Sequence, residues 1–543
     1  MRRRDFLPGA AGLFLSGCAG EPPAQIYLHS ARIWTGNPKM PWASSMLVHE
    51  GRIVAFNERA AADTVIDAGG ATVTPGFIDS HVHVFEGGQR LKQVQLRECN
   101  SKEEFVRRLG DHAADQPRGE WILGGDWDHQ RWGGELPDRK WIDAMTANHP
   151  VWVTRLDGHM GLANAPALRV GNINRNTPDP PGGVIVRGPG GEPTGILKDN
   201  AMDLLTRSIP RPSEMMRGLA LDAAMTHLLE RGVTGIHHMG AIEDLDILNN
   251  FRKEGRLRLR IYAATPLGQW QDLREWINRN GRGDSWMKPG MLKGFVDGSL
   301  GSHTAAMEEP YSDAPQDKGL MVTNEYELYD WVLGADKAGL QIAIHAIGDR
   351  ANHLLLDTYE RVARDNGPRD RRFRIEHAQH LRPQDIPRFA ALGVIASLQP
   401  YHAIDDGRWA TRVIGPLRAK TSYAIRSLLD SKAPLAFGSD WFVAPPEPLQ
   451  ALYAAVTRRT LDGANPGGWV PEQKIGLEDA VRAHTAGSAY AGFQENITGT
   501  LSPGKRADFV VFDRDLSKSP LDKLPEARVR FTVVEGRVMY SRV

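Results

Sequence analysis

Two histidines end a short apolar run near residue 80. Residues 76–83 read Gly-Phe-Ile-Asp-Ser-His-Val-His, a pattern that predicts a short buried strand. Side chains two residues apart share one face of a strand, so His81 and His83 point the same way, roughly 6–7 Å apart along the strand. One metal ion can lie between two imidazoles at that spacing. The pair alone leaves open a second interpretation, two histidines on a polar strand face.

Four more polar residues end other apolar runs: Lys293, His345, His377 and Asp440. Each has a structural alternative, because a lysine can extend its amine to solvent, a histidine can be a hydrogen-bonded core residue, and an aspartate can cap the following helix. A lone lysine within an apolar strand is costly, however. The recurrence of one polar residue at the ends of several runs predicts that these residues meet in one site.

Eight short apolar runs alternate with helical stretches through the middle of the chain. Such alternation predicts a parallel sheet, and eight β/α units predict an α/β fold of the (β/α)8, TIM-like barrel type. The site of such a barrel lies at the carboxyl ends of its strands, where the polar residues above would gather. The predicted strands are Gly76–Val82, Val233–His238, Leu257–Ala263, Met291–Asp297, Leu340–His345, Phe373–His377, Gly393–Leu398 and Pro434–Asp440.

Segments outside the barrel are predicted at both chain ends and after the first strand. Residues 21–75 and 497–543 contain short alternating strands, and the Glu-Gly hairpin turn at residues 50–51 returns at residues 535–536. They predict one composite β-sandwich domain that brackets a barrel domain of residues 76–496. The gap after the first strand is too long for one helix, so residues from about 90 to 215 form a predicted β-rich insertion. Within it, the Gly/Pro-rich residues 180–195 predict a hairpin flap over the mouth of the barrel.

Composition narrows the class of protein. The 543-residue chain carries 66 Lys+Arg and 66 Asp+Glu, so its formal net charge is zero and no nucleic acid partner is expected. Only two cysteines are present, Cys18 and Cys99, too few for a disulfide framework or a cysteine zinc site. Any metal must therefore be held by His, Asp, Glu or a modified Lys.

Residues 1–20 predict an export signal rather than part of the fold. Residues 3–7, Arg-Arg-Asp-Phe-Leu, resemble a twin-arginine motif, and the apolar run that follows is too short to span a bilayer. Residues 15–18, Leu-Ser-Gly-Cys, resemble a bacterial lipobox with Cys18 as the lipidated residue. We therefore predict a periplasmic or envelope protein, exported by the twin-arginine route and attached to the membrane only through a lipid on Cys18. A plain cleavable signal and an uncleaved anchor stay open.

Motifs along nearly all of the chain after the signal resemble the amidohydrolase superfamily of metal-dependent hydrolases. Within it, they resemble the branch of N-substituted formamide deformylases. Each motif is short, but together they are highly specific. They are residues 74–83, which begin Thr-Pro before the segment above; Asp-Gly-His-Met at 157–160; Gly-Glu-Pro-Thr-Gly at 191–195; Asp-Gly-Ser-Leu-Gly-Ser at 297–302; His-Ala-Ile-Gly-Asp at 345–349; Ile-Glu-His-Ala-Gln at 375–379; Gly-Ser-Asp-Trp at 438–441; and Leu-Ser-Pro-Gly-Lys-Arg-Ala-Asp-Phe-Val at 501–510.

The resemblance implies a two-metal site, usually of zinc. Lys293 would carry a CO₂ adduct, a carbamate whose oxygens bridge the two ions. Physical chemistry supports this role, because a buried lysine loses its charge readily and a neutral amine reacts with CO₂. The implied ligands are His81, His83 and Asp440 for one ion, His345 and His377 for the other, and Lys293 between them.

The resemblance also implies a reaction. A metal-bound hydroxide would attack the carbonyl carbon, the metals would polarise its oxygen, and Asp440 would pass a proton to the leaving nitrogen. We therefore predict a metal-dependent hydrolase that cleaves a non-peptide C–N bond, an amide, of a small molecule. Two alternatives stay open: a cyclic amide, carbamate or ester hydrolase with the same metal site, and a catalytically silent envelope metal-binding protein. The oligomeric state also stays open, a homodimer included.

Four residues are weaker candidates for substrate binding. Trp127 lies in an aromatic loop that could line an apolar pocket, although tryptophan also packs in protein cores. His159 follows an insertion strand, and His238 ends the second barrel strand; for each, a structural role is the alternative. The family often has Arg where this chain has His303. That residue would change the substrate preference if it reaches the substrate, and a solvent-facing loop position is the alternative.

Overall fold

Eight parallel strands form the barrel that the sequence predicts. In the computed structural model, which describes residues 25–210 and 212–542, each strand pairs with the next along the chain. A parallel bridge between Val82 and Trp441 joins the last strand to the first and closes the sheet. The eight strands, referred to below as barrel strands one to eight, are Phe77–Val82, Val233–Met239, Arg260–Pro266, Met287–Phe295, Gln341–Ala346, Arg374–His377, Ile395–Leu398 and Leu435–Phe437.

Helices cover the outside of the barrel, and apolar side chains fill the layer between helices and strands. Strands of such a barrel are buried on both faces, which is why they read as near-continuous apolar runs in the sequence. The predicted helical stretches between strands are confirmed. The α-helices are Val84–Arg90, Lys102–Ala114, Ala165–Val170, Asp203–Thr206, Glu214–Leu229, Asp244–Lys253, Trp270–Asn280, Glu325–Lys337, Asp349–Asn366, Ile386–Leu392, Pro400–Asp406, Ala410–Ala419, Ile425–Asp430, Pro448–Thr457, Leu477–Arg482 and Ser488–Ala491.

Both chain ends contribute to a second region, built of two sheets around a separate apolar core. Thr72–Pro75, from the N-terminal part, pairs with Phe509–Phe512 from the C-terminal part. The two Glu-Gly turns are present, with Glu50, Gly51, Glu535 and Gly536 all at positive φ, as the tight turn of a two-residue hairpin requires. In sheet order, the strands are Arg52–Phe56, Met46–His49, Gln25–His29 and Thr64–Asp67 in one sheet, and Arg537–Ser541, Val529–Val534, Phe509–Phe512, Thr72–Pro75, Arg32–Trp34 and Trp42–Ala43 in the other.

The insertion after barrel strand one is β-rich, as predicted. It contains a six-stranded sheet with its own apolar cores. The predicted hairpin is present, with Gly183 opposite Asp199 in the register. In sheet order, the strands are Gly183–Arg187, Pro193–Asp199, Met160–Ala163, Val151–Arg155, Ile122–Trp127 and Val94–Gln95.

The predicted export signal and the lipidated Cys18 lie outside the described residues and stay predictions. Within the described part of the chain, none of the helices has both the length and the apolar character needed to cross a membrane. Cys99 is buried and has a free thiol, so it takes no part in the site described next.

Candidate active site

His81, His83 and Asp440 converge where barrel strands one and eight meet. The backbone N–H of Asp440 donates to the carbonyl of His81 at 2.8 Å, which fixes the two strand ends side by side. The Nε2 atoms of His81 and His83 lie 3.4 and 3.2 Å from Oδ1 of Asp440. One ligand atom from each of the three residues lies within 4.8 Å of the others. The structure therefore brings together three predicted metal ligands that are remote in sequence.

A buried ion pair of Glu376 and Arg374 orients the ring of His81 through its Nδ1 atom. Nδ1 of His81 donates to Oε2 of Glu376 at 2.6 Å, and Oε1 of Glu376 accepts from Nε of Arg374 at 2.7 Å. All three side chains are buried. The bond to Glu376 leaves Nε2 of His81 directed toward Lys293 and Asp440, and burial, with the charge of Lys293, holds the pKa of His81 well below its usual value. A neutral imidazole held in one tautomer by a carboxylate is typical of a metal ligand.

Lys293 projects from barrel strand four into the same space. Its Nζ lies 3.0 Å from Nε2 of His81 and 4.7 Å from the ring centroid of Phe295. Burial lowers the pKa of Lys293 to about 8, because a charged amine is poorly solvated there. A larger fraction of the amine is therefore neutral near physiological pH than for an exposed lysine, which favours reaction with CO₂.

His345 and His377 lie beside this group on barrel strands five and six. The ring of His377 is 4.9 Å from that of His81 and 4.6 Å from that of His345, measured between centroids. Nδ1 of His377 is bonded to Oε1 of Gln399 at 2.8 Å, and Nε2 of His345 donates to the carbonyl of Gly298 at 3.0 Å. Each ring thus has one nitrogen already engaged and one left for a ligand.

His402 is a residue of the site that no sequence pattern singled out. This residue lies on the helix Pro400–Asp406, directly after barrel strand seven, and forms a second three-residue group with His377 and Asp440. Its Nε2 is buried and has no hydrogen-bond partner within the described residues. The available signal was a histidine shortly after an apolar run, but His402 comes four residues after Leu398 on a helix rather than on the strand itself.

These residues fit a divalent metal ion. Imidazole nitrogens and a carboxylate are the donors that zinc and similar metals prefer. Burial alone would raise the pKa of Asp440, but the neighbouring His81 and His83 lower it overall, so the carboxylate is ionised and able to bind a cation. The orphaned Nε2 of His402 points to a missing partner in the same place.

The cluster forms the floor of a cavity of about 200 Å³ at the carboxyl ends of the barrel strands. Residues 155–159 of the insertion line one wall, and Phe295, Trp409 and Phe442 provide apolar surface. Arg155 is fixed there by ion pairs with Asp128 and Asp157, at 3.0 and 2.6 Å. The insertion therefore forms part of the substrate side of the pocket, which is the usual location of specificity in such barrels.

Comparison with known proteins places this site in a family. The family model described as "Amidohydrolase family" matches residues 64–540. The chain belongs to the amidohydrolase family. Because the match includes all eight barrel strands and the whole insertion, the amidohydrolase assignment covers every residue of the site.

Individual relatives match this amidohydrolase over nearly their whole length. The chain is 41% identical over 537 residues to Protein LONG AFTER FAR-RED 3 of Arabidopsis thaliana, and the match covers 95% of this chain and 92% of the relative. It is 27% identical to the N-substituted formamide deformylase of Arthrobacter pascens, covering 95% and 98%. Among solved structures, an uncharacterized metal-dependent hydrolase from Pyrococcus horikoshii OT3 matches with a TM-score of 0.75 and 28% identity, covering 92% of this chain and 99% of that one. The fold is thus that of a metal-dependent hydrolase.

Of the four weaker candidates, His159 lies in the pocket wall of this amidohydrolase. Its Nδ1 donates to Oδ1 of Asp199 at 2.7 Å, and its ring lies 5.2 Å from that of His345 between centroids. Its predicted role in substrate binding stays a prediction.

The other three candidates are not among the residues that line the pocket, and their predicted role in substrate binding stays a prediction. Trp127 is buried in the insertion core, where its Nε1 donates to the carbonyl of Val153 at 2.9 Å. His238 is buried on barrel strand two and bonded to Asp244. His303 lies against Tyr311 and pairs with Asp313 at 3.0 Å. In each case a local partner, absent from any sequence pattern, directs the side chain away from the pocket.

Proposed function

We propose that this amidohydrolase cleaves an amide C–N bond, other than a peptide bond, in a small molecule. The observation that carries the proposal is the convergence of His83, Lys293 and Asp440 in one pocket, with His81 in contact with Lys293 and Asp440. The printed name of one relative, N-substituted formamide deformylase, supports a C–N bond as the target. The cavity volume of about 200 Å³ supports a small substrate rather than a polymer.

In this proposal, His81, His83 and Asp440 would hold one divalent metal ion, zinc in the first instance, and His345 and His377 would hold a second. Lys293, as a carbamate, would offer its oxygens as further ligands. When bound, such ions act as Lewis acids toward a carbonyl oxygen and activate water for attack.

The chain's own residues handle the proton and the orientation of the substrate. Asp440 is ionised at the start, so it accepts the proton of the attacking water and delivers it to the leaving nitrogen. Burial alone would lower the pKa of His159, but its hydrogen bond with Asp199 raises the pKa overall, and the protonated ring donates from Nε2 to the substrate. The insertion wall at residues 155–159 excludes bulk water from this step.

The decisive test is a substrate panel run on metal-loaded protein of known metal content. The panel contains N-substituted formamides, longer acyl amides, a cyclic amide, a carbamate and an ester, with zinc, manganese, cobalt and iron each tested. We expect turnover of one or more acyclic amides, and a kcat that is lower by roughly 10²–10⁴-fold in Asp440→Asn.

Other outcomes would redirect the assignment. Hydrolysis of only the cyclic amide, carbamate or ester would identify the alternative hydrolase with the same metal site. Tight metal binding without turnover of any compound would support a catalytically silent metal-binding protein. Turnover that is unaffected after complete metal removal would contradict the proposal altogether.

A further inference from the structure

His402 lines the pocket and has one ring nitrogen without a hydrogen-bond partner among the described residues. Its Nε2 is buried and lacks a hydrogen-bond partner anywhere within residues 25–210 and 212–542. Buried polar atoms are nearly always paired, and leaving one unpaired is destabilising. His402 lines the pocket that contains the metal ligands, so a metal ion bound there is a candidate partner for its ring.

Two other ligand atoms converge on the same point. One ligand atom each from His377, His402 and Asp440 lies within 4.8 Å of the other two. The rings of His377 and His402 are nearly parallel, 10° apart, with centroids separated by 6.3 Å. Nδ1 of His377 is already bonded to Gln399, so its Nε2 is the atom left for a ligand. Two imidazoles and one carboxylate with free lone pairs, gathered at this spacing, form a metal-binding set.

We propose that His402 is a further direct ligand of the second metal ion, in addition to His345 and His377, with Asp440 in contact with the same ion. The inference rests on the proposed metal-dependent function, and it adds a residue that the family resemblance did not include. Asp440 then belongs to both sets, since it also forms a group with His81 and His83. A carboxylate with two oxygens can serve both ions at once, which would couple the occupancy of the second ion to that of the first.

Metal content provides the test, with activity as a secondary measurement. The full chain and its His402→Ala and His402→Gln variants are loaded with zinc and dialysed. Bound metal is then counted by mass spectrometry, and affinity is measured by competition with a chelator. Tyr401→Phe, a change at the neighbouring residue, serves as the matched control. Circular dichroism verifies folding, and the glutamine variant keeps the test valid if alanine disturbs the helix. Cobalt substitution adds a visible spectrum that reports the ligand set.

We expect both His402 variants to lose one ion, or to bind it at least about 100-fold more weakly, beyond the ~10–100-fold typical of a residue that only supports a ligand. The control should match the wild type in metal content and in the cobalt spectrum. If both variants keep wild-type metal content, affinity and cobalt spectrum, His402 is not a ligand, and an increased KM with unchanged metal would instead identify a substrate contact. A wild-type protein that binds no divalent ion would overturn the proposed function as well.

Discussion

At the scale of single residues, Lys293 is the site residue whose charge and chemical form depend most on its surroundings. An exposed lysine stays charged, whereas burial lowers the pKa of Lys293 to about 8 and places its Nζ 3.0 Å from His81. A cation at that position would repel bound metals, and a carbamate would attract them. The same burial that is costly for a charged amine thus favours the modified form.

We predict that Lys293→Ala loses metal and activity together, by more than the ~10–100-fold typical of a supporting residue. Lys293→Arg should do no better, because a guanidinium stays charged and forms no carbamate. Short carboxylates such as formate or acetate should restore part of the activity of the alanine variant by replacing the bridge. Steady-state kinetics and metal counting measure these effects. A Lys293→Ala enzyme with two metals and normal turnover would rule out the bridging role.

Asp440 has two roles in the proposal, as ligand and as proton carrier. The Asp440→Asn side chain keeps the size of aspartate and one oxygen that can bind a metal, but as a neutral amide it cannot accept a proton. We expect kcat to fall roughly 10²–10⁴-fold, the usual contribution of a positioned acid or base, while the protein stays folded. The control is Asp313→Asn. It changes a carboxylate that pairs with His303 outside the pocket, and the variant should keep full activity. Turnover of Asp440→Asn within a few-fold of wild type, with metal bound, would make Asp440 only a ligand.

At the scale of elements, the contact between barrel strands one and eight sets the geometry of the site. Gly438 follows barrel strand eight, and its N–H donates to the carbonyl of Leu398. A Cβ added at Gly438 would lie 2.7 Å from the backbone nitrogen of His81 and 2.8 Å from Oδ1 of Asp79. Only glycine allows the two strands to approach this closely.

We predict that Gly438→Ala lowers the free energy of unfolding by about 1–3 kcal/mol, the usual cost of overpacking. The displaced strand should also separate Asp440 from the two histidines and weaken metal binding. Gly467→Ala is the matched control, because a Cβ there meets no atom within 4 Å, and it should change stability by less than about 0.5 kcal/mol. Denaturant unfolding and metal counting provide the measurements. Equal behaviour of the two variants would show that the strand contact tolerates a methyl group.

At the scale of the whole molecule, one buried ion pair joins the barrel to the sandwich. Arg260 of barrel strand three donates from Nε and Nη2 to Asp508, at 2.6 and 3.0 Å. Asp508 precedes the sandwich strand Phe509–Phe512 and also accepts from Thr498 and from the backbone of Glu535. Both charged side chains are about 1% exposed, so each depends on the other for compensation of its charge.

We predict that Asp508→Ala destabilises the protein by about 3–5 kcal/mol, because the remaining ion pair of the buried Arg260, with Glu535, is longer, at 3.4 Å. The double variant Arg260→Met/Asp508→Leu should recover much of that loss, since apolar replacement of a buried pair is often neutral. Asp111→Ala, which breaks the exposed pair with Arg107, should cost at most about 0.5 kcal/mol. Thermal and denaturant unfolding measure all three. If Asp508→Ala is as stable as Asp111→Ala, the ion pair of Arg260 and Asp508 does not hold the barrel and the sandwich together.

The sequence by itself determined the barrel and the chain-end sheets, and it predicted the residues that are candidate metal ligands. Barrel strands are buried on both faces, so each one appears as an apolar run, and the polar residue that ends it is visible without knowledge of its neighbours. The turns at Glu50-Gly51 and Glu535-Gly536 are equally local, because their positive φ angles depend on two adjacent residues. His81, His83, Lys293 and Asp440 all follow from such local patterns.

Only the tertiary structure decided which other side chains reach the site. His402 lies on a helix after barrel strand seven, and its approach to His377 and Asp440 depends on how that helix packs over the barrel. Trp127 and His238 look equally suitable in sequence, but hydrogen bonds to Val153 and Asp244 direct them elsewhere. The orienting bond from His81 to Glu376 spans 295 residues. Contacts between residues this far apart exist only once the sheet has closed, so no local pattern contains them.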